Sequence, residues 1–520
     1  MAVILETKER RVIPNWRDYK RTLQIGELGS NNKLYSPIKI SIDRAIIDWN
    51  ENRNIGTAAD LINSAFVAGI HDKDEINSAI KFIRNNLNKA SKSLLQLTEL
   101  LKVYESTTII HTKSSILEID IDTVDEFQAF INNHVLFKII NKTKNRTRKE
   151  LYNPIVWIDL ARLYSLLGQE KKAERAVLIA LHLAPNNRFV LRSATRFFIH
   201  AKQFEKALYY LRKSRSLKND PWLISAHIAT SSIMGRYSPL IKDGKRIIKS
   251  KTFSDFETTE LAISIGSLEY NEGSFKKAKQ LLQISMRQPN DNSLAQMEWL
   301  SRNEPRLQID PFSFNNVINP FEAYAFDNFE NGQWKDAFYN CIKWFLDIPF
   351  SKRPIILGSF IAGSLLKDKP AAIALCEVGL QANPRNPTLL NNIIYDFATS
   401  DNIEKCYSYI DQLKEIDLSS LTKESKICIQ ATLGLVAIRD NDFENGNMLY
   451  KLSIENAGKI KNDYLKNLSI VNFTRELILK NLPEKEKYKE IVKEMEVDKN
   501  RKDLVFIRDE VIDLINKDNK

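Results

Sequence analysis

Apolar residues recur every three or four positions over much of the chain, which is the spacing of amphipathic helices. The clearest stretch is PIVWIDLARLYSLLGQEKKAERAVLIALHLAPNN, residues 154–187. Its apolar positions form one face of a first helix up to Gly168 and one face of a second helix that Pro185 ends. This pattern predicts a hairpin of two antiparallel helices.

The same hairpin pattern returns along the chain at a nearly fixed interval. A small residue near the start of each second helix marks it: Ala173 and Ala207 are 34 residues apart, as are Ala372 and Cys406. With its aromatic residue, glycine turn, small residues and terminal proline, the unit resembles a tetratricopeptide repeat. The resemblance implies an all-α fold, a right-handed α-solenoid of roughly eight tetratricopeptide-like hairpins, some of them degenerate.

Places where the interval between hairpins changes mark the boundaries between parts of the chain. We expect a mostly helical non-repeat region at the N-terminal end and a C-terminal helix that caps the last repeat. The insertion between the two repeat blocks should be mainly irregular, because Pro305 and Pro311 interrupt it. The expected parts are an irregular N-terminal arm (1–56), a helical cap region (57–150), repeats (153–289), the insertion (290–319), repeats (320–480) and C-terminal helices (483–520).

Two features of the N-terminal part lead to separate expectations. The arm carries four large aromatic residues, Trp16, Tyr19, Tyr35 and Trp49, so we expect it to dock onto the folded body rather than to be a free tail. A β-branched run favours a short extended stretch at residues 116–121.

Composition narrows the class of protein. A chain that is 43% hydrophobic and 27% charged fits a soluble helical protein, and it holds no apolar run long enough to span a membrane. Because the N-terminal residues do not resemble a secretory signal, we expect a cytoplasmic protein. The cysteines form no CxxC pair, so buried thiols are expected at Cys341, Cys376, Cys406 and Cys428.

Catalytic and metal-binding signatures were sought among the polar residues. Neither the phosphate-binding loops nor the common hydrolase motifs occur. His71 is followed by Asp72, Asp74 and Glu75, but a junction between two helices explains these residues more simply. We therefore predict a non-enzymatic protein with no cofactor and no metal.

The family resemblance implies binding instead, since the first helices of tetratricopeptide hairpins line a concave groove that holds peptides. Arginines on that face would suit a carboxylate or a phosphate. Aromatic residues there would serve as peptide anchors or as packing for the N-terminal arm. Helical spacing assigns to the groove Arg162, Arg192, Arg196, Trp222, Phe326 and Phe329. The asparagine pattern with which some family members hold a terminal carboxylate is absent.

Two function hypotheses follow. The first is a non-catalytic scaffold or adaptor that binds a protein partner or peptide in the groove. The alternative is a nucleic-acid-binding accessory protein that uses the arginine groove and a basic segment, although such a segment is usually a solvated loop or the exposed start of a helix. The basic segment comprises Lys142, Lys144, Arg146, Arg148 and Lys149, in a chain of net charge +11.

Further expectations concern partners and biological setting. A composition rich in lysine, asparagine and isoleucine is typical of bacterial and other AT-rich genomes. Large repeat proteins there often accompany an effector, sometimes in antiviral defence, so an accessory role in such a complex is a hypothesis. The amphipathic C-terminal helices also offer a surface for homo-oligomer formation.

Overall fold

The structure is a computed structural model of the 520-residue chain. It describes residues 1–5, 9–17, 42–68, 73–87, 90, 94–95, 98, 101, 134–250, 252–309, 311–315, 317–417, 419 and 421–518. The chain divides into two compact units, described separately below. The first unit comprises Arg11–Asp120 and Leu136–Ala323, and the second comprises Met1–Arg10, Ile121–Val135 and Tyr324–Lys520.

The first unit begins with three non-repeat helices, α1 (Ile42–Glu51), α2 (Ile55–Ala68) and α3 (Asp74–Asn85). Trp49 of α1 is fully buried, and its ring meets Phe82 of α3 edge-on at 5.4 Å. The predicted irregular arm is therefore wrong over residues 42–51, where burial of one apolar stripe stabilises a helix. The extended stretch expected at residues 116–121 lies outside the described residues.

Helical hairpins make up most of the first unit from residue 154 onward, among the described residues. After α4 (His134–Lys149), the pairs are α5 (Pro154–Leu166) with α6 (Glu170–Leu183), α7 (Arg188–His200) with α8 (Phe204–Lys213), α9 (Pro221–Ile233) with α10 (Ile241–Ser250), and α11 (Asp255–Asn271) with α12 (Phe275–Ser285). The unit continues into α13 (Asp291–Asn303) and a 3₁₀ turn at Pro311–Phe314. The insertion is thus helical at its start, where Asn290 and Ser293 form a capping box, and irregularity begins only after Asn303.

The second unit continues the hairpin pattern. Its pairs are α14 (Phe321–Glu330) with α15 (Trp334–Asp347), α16 (Lys352–Phe360, extended by a π-helical turn at Ile361–Leu365) with α17 (Lys369–Ala382), α18 (Pro387–Thr399) with α19 (Ile403–Lys414), α20 (Lys423–Arg439) with α21 (Phe443–Lys459), and α22 (Asp463–Leu479) with α23 (Lys485–Lys493). The last helix, α24 (Lys502–Asp518), contacts α22 and α23 and buries Leu504, Val511 and Ile515. The expected C-terminal cap is confirmed.

The turns inside the hairpins share one backbone feature, a residue with a left-handed conformation. Glycine fills this position at Gly168, where φ is 64° and a side chain would be strained. Later turns use polar residues instead, such as Asp401 with φ 55° and Asn441 with φ 67°. Among residues with a side chain, asparagine and aspartate tolerate this left-handed conformation best. The turn can therefore keep its backbone geometry in repeats that have no glycine there.

The two helices of a hairpin differ in burial. The first helices are buried almost all round, as in α9, whereas the second helix α8 buries only Ala207, Leu208 and Leu211. A helix that is buried on every side is packed against neighbours on every side. The faces of α9 in the first unit and of α18 in the second unit are therefore covered. Within the described residues, no helix is both long enough and apolar enough to traverse a bilayer.

Candidate binding surfaces

In the first unit, Arg192 of α7 forms a buried ion pair. Its Nη1 donates to Glu260 Oε2 at 2.9 Å and its Nη2 to Glu260 Oε1 at 3.2 Å, and both side chains are 1% exposed. The guanidinium also lies 4.9 Å from the centre of the Trp222 ring. Asn290 and Asn292 each donate to Glu260 Oε1, at 3.0 and 3.1 Å. This carboxylate neutralises Arg192 inside the protein, so Arg192 is not a free anion-binding group.

The other two predicted arginines differ from Arg192. Arg162 of α5 is 5% exposed, and its Nε and Nη1 have no hydrogen-bond partner among the described residues. Arg196, one turn after Arg192, is half-buried. The expected exposure on the groove face is therefore wrong for Arg192, and a ligand contact at Arg162, Arg192 and Arg196 stays a prediction.

The three predicted groove aromatics are buried rather than exposed. Trp222 packs edge-on against Phe256 at 5.7 Å in the first unit. In the second unit, Phe326 meets Trp344 at 6.1 Å and Phe329 meets Phe360 at 6.2 Å. Their expected exposure is wrong because each ring fills the core of its own unit. A partner contact at these residues stays a prediction.

The N-terminal arm covers part of the first-helix surface in the first unit. Arg17 donates to Asp291 Oδ2 at 2.6 Å, and Asn15 donates to the same oxygen at 2.7 Å. Asn292, which also contacts Glu260, donates to the carbonyl of Ile13 at 2.9 Å. The expected docking of the arm is confirmed for the residues described there, and charged groups carry much of it.

Apolar contacts of the same arm fill the spaces between these hydrogen bonds. Trp16 is fully buried and meets Phe197 of α7 edge-on at 6.1 Å. Val12 belongs to a buried cluster that includes Ile263, Leu282, Met297, Leu300 and Leu307. Residues 11–17 therefore bind the first unit through both polar and apolar contacts. Tyr19 and Tyr35, the other expected anchors, lie outside the described residues.

In the second unit, residues 1–3 are held by neutral side chains of the first helices. The Val3 N–H donates to Asn392 Oδ1 at 2.9 Å, and Asn392 Nδ2 donates back to the Val3 carbonyl at 2.9 Å. Asn391 Nδ2 donates to the Met1 carbonyl at 2.7 Å. An amide side chain carries an acceptor oxygen and two N–H donors, so Asn392 pairs with both main-chain groups of Val3, as a residue of a neighbouring strand would. We call Asn391, Asn392 and Thr432 the amide site.

The Met1 end of this segment is the most enclosed. Its α-amino group donates to Thr432 Oγ1 of α20 and approaches the Cys428 carbonyl at 3.5 Å. Burial lowers the pKa of this amine to about 5, and the charges of Arg475 and Asp396 oppose each other in their effect on it. The segment is thus bound with a neutral amine near neutral pH.

A buried polar cluster lies beside the amide site. Asp396 of α18 pairs with Lys369 Nζ at 3.0 Å, and burial raises the pKa of this carboxyl. Arg475 Nη1 donates to the Tyr395 hydroxyl at 3.2 Å, and that hydroxyl donates to Asn472 Oδ1 at 3.0 Å. Gly363 lies in the π-helical turn and leaves room for Asp396, because a side chain at this position would overlap the Asp396 carboxylate.

The basic segment forms the last turns of α4. Lys142, Lys144, Arg148 and Lys149 are exposed, and Arg146 pairs with Glu150 at 3.1 Å. Cations at a helix C-terminus also favour the helix by interacting with its dipole, which gives the segment a structural role. Contact with nucleic acid stays a prediction.

The remaining predicted residues have separate outcomes. All four cysteines are free and buried, as expected. The His71 cluster lies in part outside the described residues. His227, which the sequence did not single out, is buried in the first unit, with Nδ1 3.0 Å from Ser238 Oγ.

Comparison with known proteins adds little. No family model and no curated protein matches the chain. The structure itself shows a series of antiparallel helical hairpins. Among solved structures, the chain is similar to a human IFIT1 dimer with PPP-AAAA (14% identity, 76% of this chain and 99% of that one, TM-score 0.37), to yeast Tom70 (12%, 76% and 97%, 0.31) and to the APC/C hetero-tetramer Cut9-Hcn1 (10%, 92% and 92%, 0.33). At these TM-scores the likenesses carry no further argument.

The amide site was missed by sequence reasoning, although one signal for it exists. Within PTLLNNIIYDFAT, which forms helix α18, two adjacent asparagines interrupt an apolar run. Both are buried, and a buried amide must find hydrogen-bond partners. A pair of polar residues in a helix that is buried all round therefore marks a position where main chain or ligand approaches.

Proposed function

We propose that this protein is a non-catalytic tetratricopeptide-type scaffold that binds an extended segment of a protein partner on first-helix surfaces. The observation that carries the proposal is the pair of hydrogen bonds between Asn392 and the main chain of Val3. A surface that already holds one extended segment through its peptide groups has the chemistry to hold another.

Recognition of this kind is tolerant of sequence. Main-chain hydrogen bonds supply affinity without reading side chains, as in peptide binding by strand addition. Selectivity then comes from the apolar surroundings, which here enclose Met1, Ala2 and Val3 to 3% exposure or less. The expected ligand is an extended segment with small or apolar side chains at these positions.

The test is capture of partners by the intact protein in two matched variants. Asn391→Ala with Asn392→Ala removes the main-chain contacts, whereas Asn445→Ala changes an exposed asparagine on α21. Mass spectrometry identifies the partners that the wild-type protein captures. The double variant should recover at least ten-fold less of these partners, and Asn445→Ala should still recover them. Equal recovery with both variants would refute the proposal for this surface.

Nucleic-acid binding is the second candidate. What favours it is the buried guanidinium of Arg162, whose Nε and Nη1 have no partner among the described residues, and the exposed cations of α4. Phosphate would satisfy both groups. Retention of the protein on RNA or DNA columns at low salt tests this function, and Arg162→Gln should weaken any retention that depends on the first unit.

Three broader proposals rest on composition and sequence pattern. They are a cytoplasmic location, an accessory role beside a bacterial effector or defence protein, and self-association through the C-terminal helices. The apolar residues of α24 are buried against α22 and α23, so less apolar surface of that helix is left for self-association. Sedimentation at several protein concentrations tests the last proposal directly.

A further inference from the structure

The inference concerns the residues that fill the amide site. Residues 1–3 use the Asn392 acceptor, the Asn392 donor and the Asn391 donor at the same time. A partner segment bound through its own peptide groups would need the same three atoms. We propose that residues 1–3 are an internal ligand that competes with partner segments for the amide site. This inference rests on the proposed scaffold function and adds its regulation.

The chemistry of the contact supports an occupant that can exchange. Among the described residues, the hydrogen bonds between residues 1–3 and the rest of the second unit run to uncharged groups: side chains of Asn391, Asn392, Thr432 and Ser469, and the Cys428 carbonyl. Net contributions of such hydrogen bonds are about 1 kcal/mol each, because water satisfies the same groups after release. No ion pair of the segment has to be broken at these atoms. A competing peptide can therefore replace the segment without leaving a buried charge unpaired.

Attachment gives the internal ligand an advantage over a separate one. A tethered segment binds as if it were present at about millimolar concentration, so it occupies a site of modest affinity most of the time. The apparent dissociation constant of a partner is then its intrinsic value divided by the fraction of sites that the segment leaves free. Partners that bind weakly are thereby excluded, and a partner that binds tightly displaces the segment.

The geometry also defines which segments can compete. The residue opposite Asn392 must offer both its N–H and its carbonyl, so proline cannot stand there. The side chain at the Val3 position is buried, so it must be apolar. An extended segment of the type apolar, small, apolar satisfies both conditions, and Met1, Ala2 and Val3 are of this type.

The experiment uses the full chain and a synthetic peptide with the sequence of residues 1–10, MAVILETKER, labelled at its C-terminal end. Val3→Pro removes the N–H that donates to Asn392 and leaves every residue of the amide site unchanged. Fluorescence anisotropy should show at least ten-fold tighter peptide binding by the Val3→Pro chain than by the wild-type chain. Adding Asn391→Ala and Asn392→Ala to Val3→Pro should abolish that binding, and a peptide with proline at its third position should not bind.

Two controls keep the result interpretable. Val3→Asp releases residues 1–3 for a different reason, because burying its charge would cost free energy. It should raise the affinity for the labelled peptide as much as Val3→Pro does. Far-UV circular dichroism and the urea midpoint of each variant check that the second unit remains folded. Equal peptide affinity of the wild-type, Val3→Pro and Val3→Asp chains, including a complete lack of binding by all three, would overturn the inference.

Failure of this inference is separable from failure of the proposed function. If the peptide binds no variant but captured partners still depend on Asn391 and Asn392, the internal ligand is refuted and the scaffold function stands. If the peptide binds the Val3→Pro chain tightly but partner capture does not depend on Asn391 and Asn392, the amide site binds only the chain's own residues. The scaffold function is then refuted for this site.

Discussion

The first-helix surfaces of the two units hold parts of the same N-terminal segment by different chemistry. In the first unit, Asp291 accepts from Arg17, and Asn292 connects the Ile13 carbonyl to the Glu260 ion pair. In the second unit, neutral amides bind the main chain of residues 1–3. A buried charge tolerates no missing partner, whereas a neutral amide can exchange one peptide for another. The first surface is therefore suited to a permanent contact and the second to an exchangeable one.

The largest effect that tests this comparison is expected at Glu260. Glu260→Ala leaves the Arg192 guanidinium buried without its carboxylate, which should lower the free energy of unfolding of the first unit by about 3–5 kcal/mol. Asn392→Ala in the second unit should cost only about 1–2 kcal/mol, because the hydrogen bonds that it removes, with Val3 and Asn391, are all between neutral groups. Urea unfolding combined with hydrogen exchange on α7 and α18 measures both.

A second variant pair checks the physical reason. Arg192→Met with Glu260→Leu removes both charges together and should recover most of the stability that Glu260→Ala loses. Similar losses for Glu260→Ala and Asn392→Ala would contradict the contrast between the two surfaces.

Acid should weaken the first unit through His227, the next largest effect. Burial lowers the pKa of His227 from 6.5 to about 4, and the charge of Arg212 contributes in the same direction. Above pH 6.5 the imidazole is neutral in folded and unfolded chains, so it costs nothing. Between pH 6.5 and 4 only the unfolded chain takes up the proton, and stability falls by about 3 kcal/mol in total.

The measurement is a comparison of wild-type protein and His227→Gln. Both proteins lose stability in acid as carboxylates titrate, so the difference between their urea midpoints isolates His227. That difference should change between pH 7 and pH 4.5 and level off below pH 4. A difference that is independent of pH would show that the imidazole takes up its proton within the folded first unit.

Gly363 in the second unit tests how tightly the polar cluster beside the amide site is packed. A methyl group there would overlap Asp396 Oδ1 and lie 3.0 Å from its Cγ and 3.1 Å from the Ala372 Cβ. Gly363→Ala should therefore destabilise the second unit by about 1–3 kcal/mol. Thermal unfolding measures the loss.

The matched control is Gly458→Ala on α21, where a methyl group would meet nothing within 4 Å. Alanine is the better helix former, so this variant should be neutral or more stable by up to about 1 kcal/mol. Equal behaviour of the two alanine variants would mean that the Asp396 side chain moves aside without cost.

Much of the architecture could be predicted from the sequence because local rules determine it. Helix period, turn residues and small residues at close contacts set the hairpins from residue 153 onward. The prediction was wrong over 42–51 and 291–303, where helices are favoured by burial of Trp49 and by the Asn290 cap rather than by the repeat pattern. Tertiary packing decided the first helix, and a local capping box decided the second.

The binding surface could be predicted far less well, for a physical reason. Helical spacing identified the faces of Arg192 and Trp222 correctly as those of first helices, but it could not reveal that other segments cover them. The partner of Arg192, Glu260, is 68 residues away, and the partners of Asn391 and Asn392 are about 390 residues away. Periodicity within one repeat carries no information about contacts at such separation.

The smallest stability effect is expected in the basic segment, which tests whether exposed charge in the first unit has any binding role. Replacing Lys142, Lys144, Arg148 and Lys149 by glutamine should change the free energy of unfolding by less than about 1 kcal/mol, because these side chains are exposed. Under the scaffold proposal, wild-type and variant should elute alike from RNA and DNA columns at low salt. If the wild-type protein is retained and the variant is not, and retention falls steeply with salt, phosphate contacts are a function of α4. The exposed cations of α4 would then be a surface of the first unit at which ligands exchange. The contrast between a permanent contact in the first unit and an exchangeable one at the amide site would then hold only for the residues buried under the N-terminal arm.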